Sequence, residues 1–207
     1  MAEEEKKEIK LGMREGYPYG AMRIADVLKE QGVEVVFGVH GGHIWAMVDA
    51  ISNAGIKVVT VRHEQAGVYD AEAYSKATGK VGVAFATVGP GVANTVSALQ
   101  QAYISCSPVV VLCGALAPIN ERMYAIQPSY VMDLMRHITK WSQRLTTIGQ
   151  VKHSLTDAFK DAQSYPKGPI ALEFEFTGTL GAEPPGRRSR DFYYMPNWAR
   201  GKTESPI

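Results

Sequence analysis

Apolar residues along this chain recur in two alternating rhythms. Met22, Ala25, Val27 and Leu28 return at helical spacing and Gly32 follows as a C-terminal cap, after which 33–39 is a short apolar run that reads as a strand. Ile44, Met47, Val48 and Ile51 repeat the helical period over 44–54, Gly55 closes it, and the Val- and Ile-rich run 56–61 is the next strand. The rhythm continues with a helix over 65–77, a strand over 81–88, a helix over 92–104 and a strand over 109–113. The strand sequences VGVAFATV and PVVVLCG are continuous apolar runs, so neither face meets water. That predicts an α/β fold of three layers, a parallel sheet with helices on both faces.

Past Gly114 the pattern loosens. Residues 118–135 accommodate a loop and one helix, and 138–147 a further short strand. Over 148–163 the helical face returns, with Ile148, Val151, Leu155, Ala158, Phe159 and Ala162. GPIALEFEF, 168–176, alternates enough to predict a strand with one partly polar side. Residues 1–20 have no apolar period and read as an extension, 21–180 as the domain, and 181–207 as a tail. That tail carries Phe192, Tyr193, Tyr194 and Trp198, more aromatic surface than a solvated segment needs, so it is expected to dock on something.

Composition narrows the function classes. The chain has 207 residues, 45% hydrophobic and 21% charged, which suits one globular domain and argues against disorder. A net charge of +1 provides no basic field, so nucleic acid is not an expected partner. No run approaches the ~18 apolar residues of a membrane span, and MAEEEKKEIK lacks the apolar stretch of a leader, so a cytoplasmic protein without membrane contact is expected. Cys106 and Cys113, in apolar or small-residue context, are expected to be buried, reduced thiols.

In an open parallel sheet ligands collect outside the carboxyl ends of the strands. Three loops fall there: Val39-His40-Gly41-Gly42-His43, Arg62-His63-Glu64 and Gly89-Pro90-Gly91. Glu64, at the end of an apolar strand, reads either as a partly desolvated carboxylate that shares a hydrogen bond with a ligand nitrogen, or as a helix N-terminal acid favoured by the dipole. His40 and His43 flank two glycines that let backbone approach a ligand closely; the plainer reading has His43 capping the next helix and His40 half-buried. A zinc set of His40, His43 and His63 with Glu64 is a third reading, although the spacing matches no H-E-x-x-H helix. The Gly-Pro-Gly turn, with Asn94 and Thr95 beyond it, offers N–H groups but matches neither a P-loop nor G-x-G-x-x-G.

The run RHEQAGVYDAEAYSKATGKVGVAFATVGPGVANTVSAL, residues 62–99, resembles the pyrimidine-binding (PYR) domain of thiamine-diphosphate enzymes of the acetolactate synthase and benzaldehyde lyase superfamily. The likeness extends from about Ala21 to Phe176 and includes Phe37-Gly38, Ala71-Glu72, Ala77-Thr78-Gly79 and Ile138-Thr139-Lys140-Trp141. It implies that Glu64 hydrogen-bonds N1′ of the cofactor's aminopyrimidine, promoting the imino tautomer that yields the C2 ylid. It also implies that Gly41, Gly42, Pro90, Gly91 and Asn94 line the cofactor. The loop Gly38-Val39-His40-Gly41-Gly42-His43 is similar to the His-Gly-Ala-His of benzaldehyde lyase, where acetolactate synthases usually carry Val-Pro-Gly-Gly. By that resemblance His43 assists proton transfer at the substrate hydroxyl, and Gln127, here followed by Pro128, lies near cofactor and substrate.

Family enzymes hold the diphosphate and Mg²⁺ on a second domain through Gly-Asp-Gly and Asn-Asn, and this chain contains neither. The resemblance therefore implies a small PYR subunit of a split carbon–carbon lyase or carboligase, with 2-hydroxyacyl-CoA lyases as close relatives. A larger subunit would supply the diphosphate-binding domain in a heterotetramer or larger assembly, with residues 188–200 reaching across it. The alternatives are a 2-oxo acid decarboxylase or acetolactate-synthase-like subunit, and a non-catalytic regulatory module.

Overall fold

Val83 and Phe85 project to one side of their strand, Ala84 and Ala86 to the other, and this division organises the molecule. The computed structural model describes residues 19–116 and 131–175. In chain order these form α1 (Tyr19–Glu30), β1 (Val35–Gly38), α2 (Trp45–Asn53), β2 (Lys57–Thr60), α3 (Glu64–Thr78), β3 (Gly82–Ala86), α4 (Pro90–Ala93), α5 (Val96–Ile104), β4 (Val109–Ala115), α6 (Val131–Met135), β5 (Trp141–Leu145), α7 (Ile148–Gln163) and β6 (Ile170–Glu175). The six strands make one sheet in the order β2-β1-β3-β4-β6-β5, every pairing parallel. The expected three-layer α/β sheet is what the chain forms.

The two faces differ in bulk. On one, Val36, Phe85, Leu112, Leu172 and Phe174 pack against residues of α1, α2 and α7, among them Ile24, Leu28, Met47, Leu155 and Phe159. Each such side chain contributes roughly 1.5–3 kcal/mol by leaving water. On the other, Ala84, Ala86, Val111 and Ala171 meet Val68 and Ala71 of α3, Ala98 and Ala102 of α5 and Met135 of α6. Small residues there bring α3 onto the sheet backbone. A Cβ at Gly67 would stand 2.9 Å from Gly38 Cα, and one at Gly82 would collide with the Ala71 carbonyl.

β6 has the expected partly polar side, Ala171, Glu173 and Glu175 opposite Ile170, Leu172 and Phe174, and that side is buried as well, because the strand lies between β4 and β5 instead of at an edge. Its Glu173 stands in register with Arg144 of β5, whose Nε is 3.1 Å from Glu173 Oε2 and whose guanidinium also donates to the Leu116 carbonyl at 3.2 Å. The helix expected over 92–104 is two pieces, α4 and α5, divided at Asn94 and Thr95, where the Thr95 hydroxyl donates to the Val92 carbonyl at 2.7 Å. Cys106 is exposed, with φ of 50°, and only Cys113 is buried, where desolvation and the Glu173 carboxylate push its thiol pKa up. α1 begins at Tyr19, two residues before the expected start. Among the described residues no helix is long and apolar enough to cross a membrane. The tail at 188–200 lies outside the described residues.

Candidate functional site

The strand order reverses at β1. Its neighbours are β2 on one side and β3 on the other, so the loops leaving the carboxyl ends of β1 and β3 diverge to opposite faces and open a crevice between them. The loop after β1 is His40–His43 and the turn after β3 is Thr87–Gly91, so two of the three segments singled out by sequence meet at this switch point. α3, which carries the chain from β2 to β3, brings in the third.

Glu64 is the first residue of α3 and is half-buried. His63 caps that helix: its Nδ1 accepts from the Gln65 amide at 3.3 Å. Glu64 thus occupies the helix N-terminus favoured by the dipole, beside the turn that leaves β3. Asn94 donates from Nδ2 to Glu64 Oε2 at 3.0 Å. The other oxygen looks onto Gly91, where a Cβ would lie 3.1 Å from Oε1 and 2.7 Å from Thr87 Cγ2. A Cβ at Gly41 would come within 2.6 Å of Thr87 Cβ and collide with its hydroxyl. Gly41, Thr87, Gly91, Glu64 and Asn94 therefore form one contiguous set. The Thr87 hydroxyl is buried and without a hydrogen-bond partner. A buried polar group left so costs about 1–3 kcal/mol, a strain that native structures tolerate mostly where something else is to be gained.

His43 is half-buried two residues beyond Gly41, and desolvation lowers its pKa, which favours the neutral imidazole. It does not cap α2: the N-cap is Ile44, and no side-chain cap bond is made. His40 is exposed, contrary to the half-buried reading, and lies against Trp45 with ring centroids 6.1 Å apart at 23°. That pair borders a separate groove of about 510 Å³ along α2 and β2. With His63 engaged as a helix cap, the three histidines do not converge, and among the described residues no group of three or more His, Cys, Asp or Glu side chains could hold a metal ion. Gly42 is exposed with open space beside it, and Pro90 is the exposed first residue of α4. Gln127 lies outside the described residues. Sequence reasoning passed over Thr87, whose one signal is that a hydroxyl follows an otherwise apolar strand immediately before the Gly-Pro-Gly turn.

Residues 19–135 match the family model described as thiamine pyrophosphate enzyme, N-terminal TPP binding domain. Among curated proteins the chain is 38% identical over 156 residues to 2-hydroxyacyl-CoA lyase 2 of Xenopus laevis, covering 75% of this chain and 24% of that protein. To the same-named protein of Danio rerio it is 35% identical over 161 residues, 78% of this chain and 26% of the relative. To the acetolactate synthase large subunit of Lactococcus lactis it is 34% identical over 155 residues, 74% of this chain and 27% of the relative. The chain thus spans about a quarter of the length of these relatives. Since the match takes in more than half of the 207 residues and runs through β1, α3 and the turn after β3, this chain belongs to the thiamine pyrophosphate enzymes and carries their N-terminal TPP-binding domain.

Proposed function

We propose that the chain is the PYR subunit of a thiamine-diphosphate-dependent carbon–carbon lyase or carboligase, acting on bonds of the 2-hydroxy ketone or 2-hydroxyacyl-CoA type. The observation that carries this reading is the Glu64 carboxylate, with Oε2 held by Asn94 and Oε1 facing the side-chain-free surface of Gly91. Those features fit an aminopyrimidine. The carboxylate offers an acceptor to a ring nitrogen, and the glycines at 41 and 91 leave the walls without side chains of their own.

Bound thiamine diphosphate would supply the carbon nucleophile and electron sink for making or breaking a bond beside a carbonyl. The protein's part is positioning and proton handling. Glu64 would hold a proton against a ring nitrogen of the bound pyrimidine, and Asn94 fixes the orientation of the carboxylate by occupying one of its oxygens. Gly41, Gly42, Pro90 and Gly91 form the walls. His43, kept neutral by partial burial, accepts or returns a proton at the substrate hydroxyl. The histidine loop and the 2-hydroxyacyl-CoA lyase relatives support this branch.

Diphosphate and Mg²⁺ are not assigned to these residues. The sequence contains no Gly-Asp-Gly and no Asn-Asn, and the described residues offer no metal-ligand group. In our reading a larger partner subunit holds them, in a heterotetramer or larger assembly. The test is to purify the chain from its native source with whatever accompanies it, add thiamine diphosphate and Mg²⁺, and measure aldehyde or ketone release from 2-hydroxyacyl-CoA thioesters. Turnover only with the partner supports the proposal, and full turnover by this chain alone overturns the split arrangement. Carbon dioxide release from pyruvate would instead place it with the acetolactate-synthase-like relatives. No cofactor-dependent turnover with either substrate class would leave a binding or regulatory module.

A further inference from the structure

One side chain touches both halves of the crevice. Thr87 leaves the end of β3 between the histidine loop and the Gly-Pro-Gly turn. On one side its hydroxyl, its Cβ and, less closely, its Cγ2 fill the space that a Cβ at Gly41 would need, and on the other its Cγ2 fills the space that a Cβ at Gly91 would need. Gly41 belongs to the loop that carries His43, and its carbonyl accepts from the Ile44 amide at 3.0 Å, so a shift of Gly41 is transmitted along that turn. Gly91 abuts Glu64 Oε1, and the amide of Asn94 donates to the Pro90 carbonyl at 2.9 Å, so the seat of Gly91 governs the turn that presents Asn94 to Glu64.

A hydroxyl buried without a partner does not contribute by hydrogen bonding. What Thr87 contributes is volume in two directions from one branched Cβ, and branching restricts it to few rotamers. We infer that Thr87 is a positioning residue, a rigid spacer that sets the distance between the Glu64–Asn94 pair and the His40–His43 loop. This rests on the proposed function for its significance: Glu64 serves the cofactor and His43 the substrate, and their relative placement is what a productive complex requires. Misplacement by about 1 Å can cost 10²-fold in rate.

The test uses the full chain without cofactor, so it stands apart from whether the proposed reaction is right. Two nuclear magnetic resonance probes report the two sides: the His43 ring Cε1–H and the Asn94 side-chain amide, with the exposed His153 ring as an internal control. Thr87→Ala, which removes contacts on both sides, should shift both probes and leave His153 unchanged. Thr87→Ser keeps the hydroxyl and Cβ that lie closest to Gly41 but loses the methyl that lies closest to Gly91, so it should shift the Asn94 amide more than His43, and it serves equally should the alanine variant fail to fold. Thr87→Val keeps the branched shape and should leave both probes in place while raising the melting temperature, because the unpartnered hydroxyl is gone. The spacer role is overturned if serine leaves the Asn94 amide at its wild-type position, or if valine moves both probes. In the active complex, Thr87→Ala should lower kcat more than it raises KM, with Thr87→Val restoring it. An unchanged kcat in Thr87→Ala, despite shifted probes, would separate the spacer from the chemistry and overturn the inference.

Discussion

The two ends of the sheet have similar raw materials and opposite finish. At the amino ends of the strands a groove of about 690 Å³ is lined by Glu34, Tyr74, Lys80 and Lys160 among others. There the polar groups answer one another: Glu34 accepts from Lys80 Nζ at 2.6 Å and from the Tyr74 hydroxyl at 3.0 Å, and those bonds hold its carboxyl below the ordinary range. At the carboxyl ends, Glu64 has one oxygen bound by Asn94, and the Thr87 hydroxyl has no partner. The glycines differ in the same sense. Gly79 has φ of 74° and open space around its Cα, so backbone conformation is what requires it, whereas Gly91 is required by the crowding of Thr87 and Glu64. The amino end too buries one hydroxyl without a partner, that of Ser75 in the last turn of α3, so the sharper difference lies in the glycines, one required by conformation and the other by crowding.

The strongest challenge to this contrast is Glu64→Gln. In the cofactor-loaded complex it should lose about 10²- to 10⁴-fold in turnover with little change in melting temperature, as expected when a proton-handling group is removed. Near wild-type turnover would end the assignment. Gly91→Ala comes next, since the new methyl meets Thr87 Cγ2 at 2.7 Å and Glu64 Oε1 at 3.1 Å. Denaturant titration should show a loss of about 1–3 kcal/mol from overpacking, and cofactor titration a weakened complex. Gly79→Ala should cost a comparable amount, about 1–2 kcal/mol for a left-handed residue, yet leave cofactor binding and turnover at wild-type levels. If the two glycine variants behaved alike toward the cofactor, the distinction between conformational and crowding glycines would fail.

The smallest effect concerns His43. Burial lowers its pKa, so the unfolded chain binds its proton first as pH falls. The folded state has its full stability above the ordinary histidine value of about 6.5 and loses part of it as pH drops from there through the lowered folded value. His43→Gln should flatten that segment of the stability profile in denaturation experiments run across the range. Parallel profiles for the two proteins would show that His43 is solvated in solution.

What the sequence revealed is what local pattern encodes. Runs such as VVVLC, bounded by turn residues and alternating with helices, read as strands covered on both faces, whereas the strand order that makes β1 the switch point does not follow from succession along the chain. Glu64, Gly41, Gly91 and Asn94 were legible because they punctuate strand ends. The partly polar side of β6 was legible, but its burial was not, because the partner of Glu173, Arg144, belongs to another strand whose neighbour cannot be read from alternation alone. The break at Asn94 and Thr95 was hidden because apolar spacing continues across it from Val92 to Val96 and Leu99. Thr87 escaped notice for a related reason: its importance lies in what two glycines far apart in sequence lack, and no window along the chain contains that information.

The contact between Gly67 and Gly38 bears on how freely the protein can change. Because α3 rests there main chain against main chain, the depth of Glu64 over the sheet is indexed to the strand backbone and not to the size of an intervening side chain. Volume-conserving substitutions under α1, α2 and α7 can accumulate without displacing the carboxylate. The opposite core is therefore a region open to drift or engineering, whereas a single methyl at 67 lifts the helix that carries Glu64, and one at 38 drives β1 off the Phe85 carbonyl of β3.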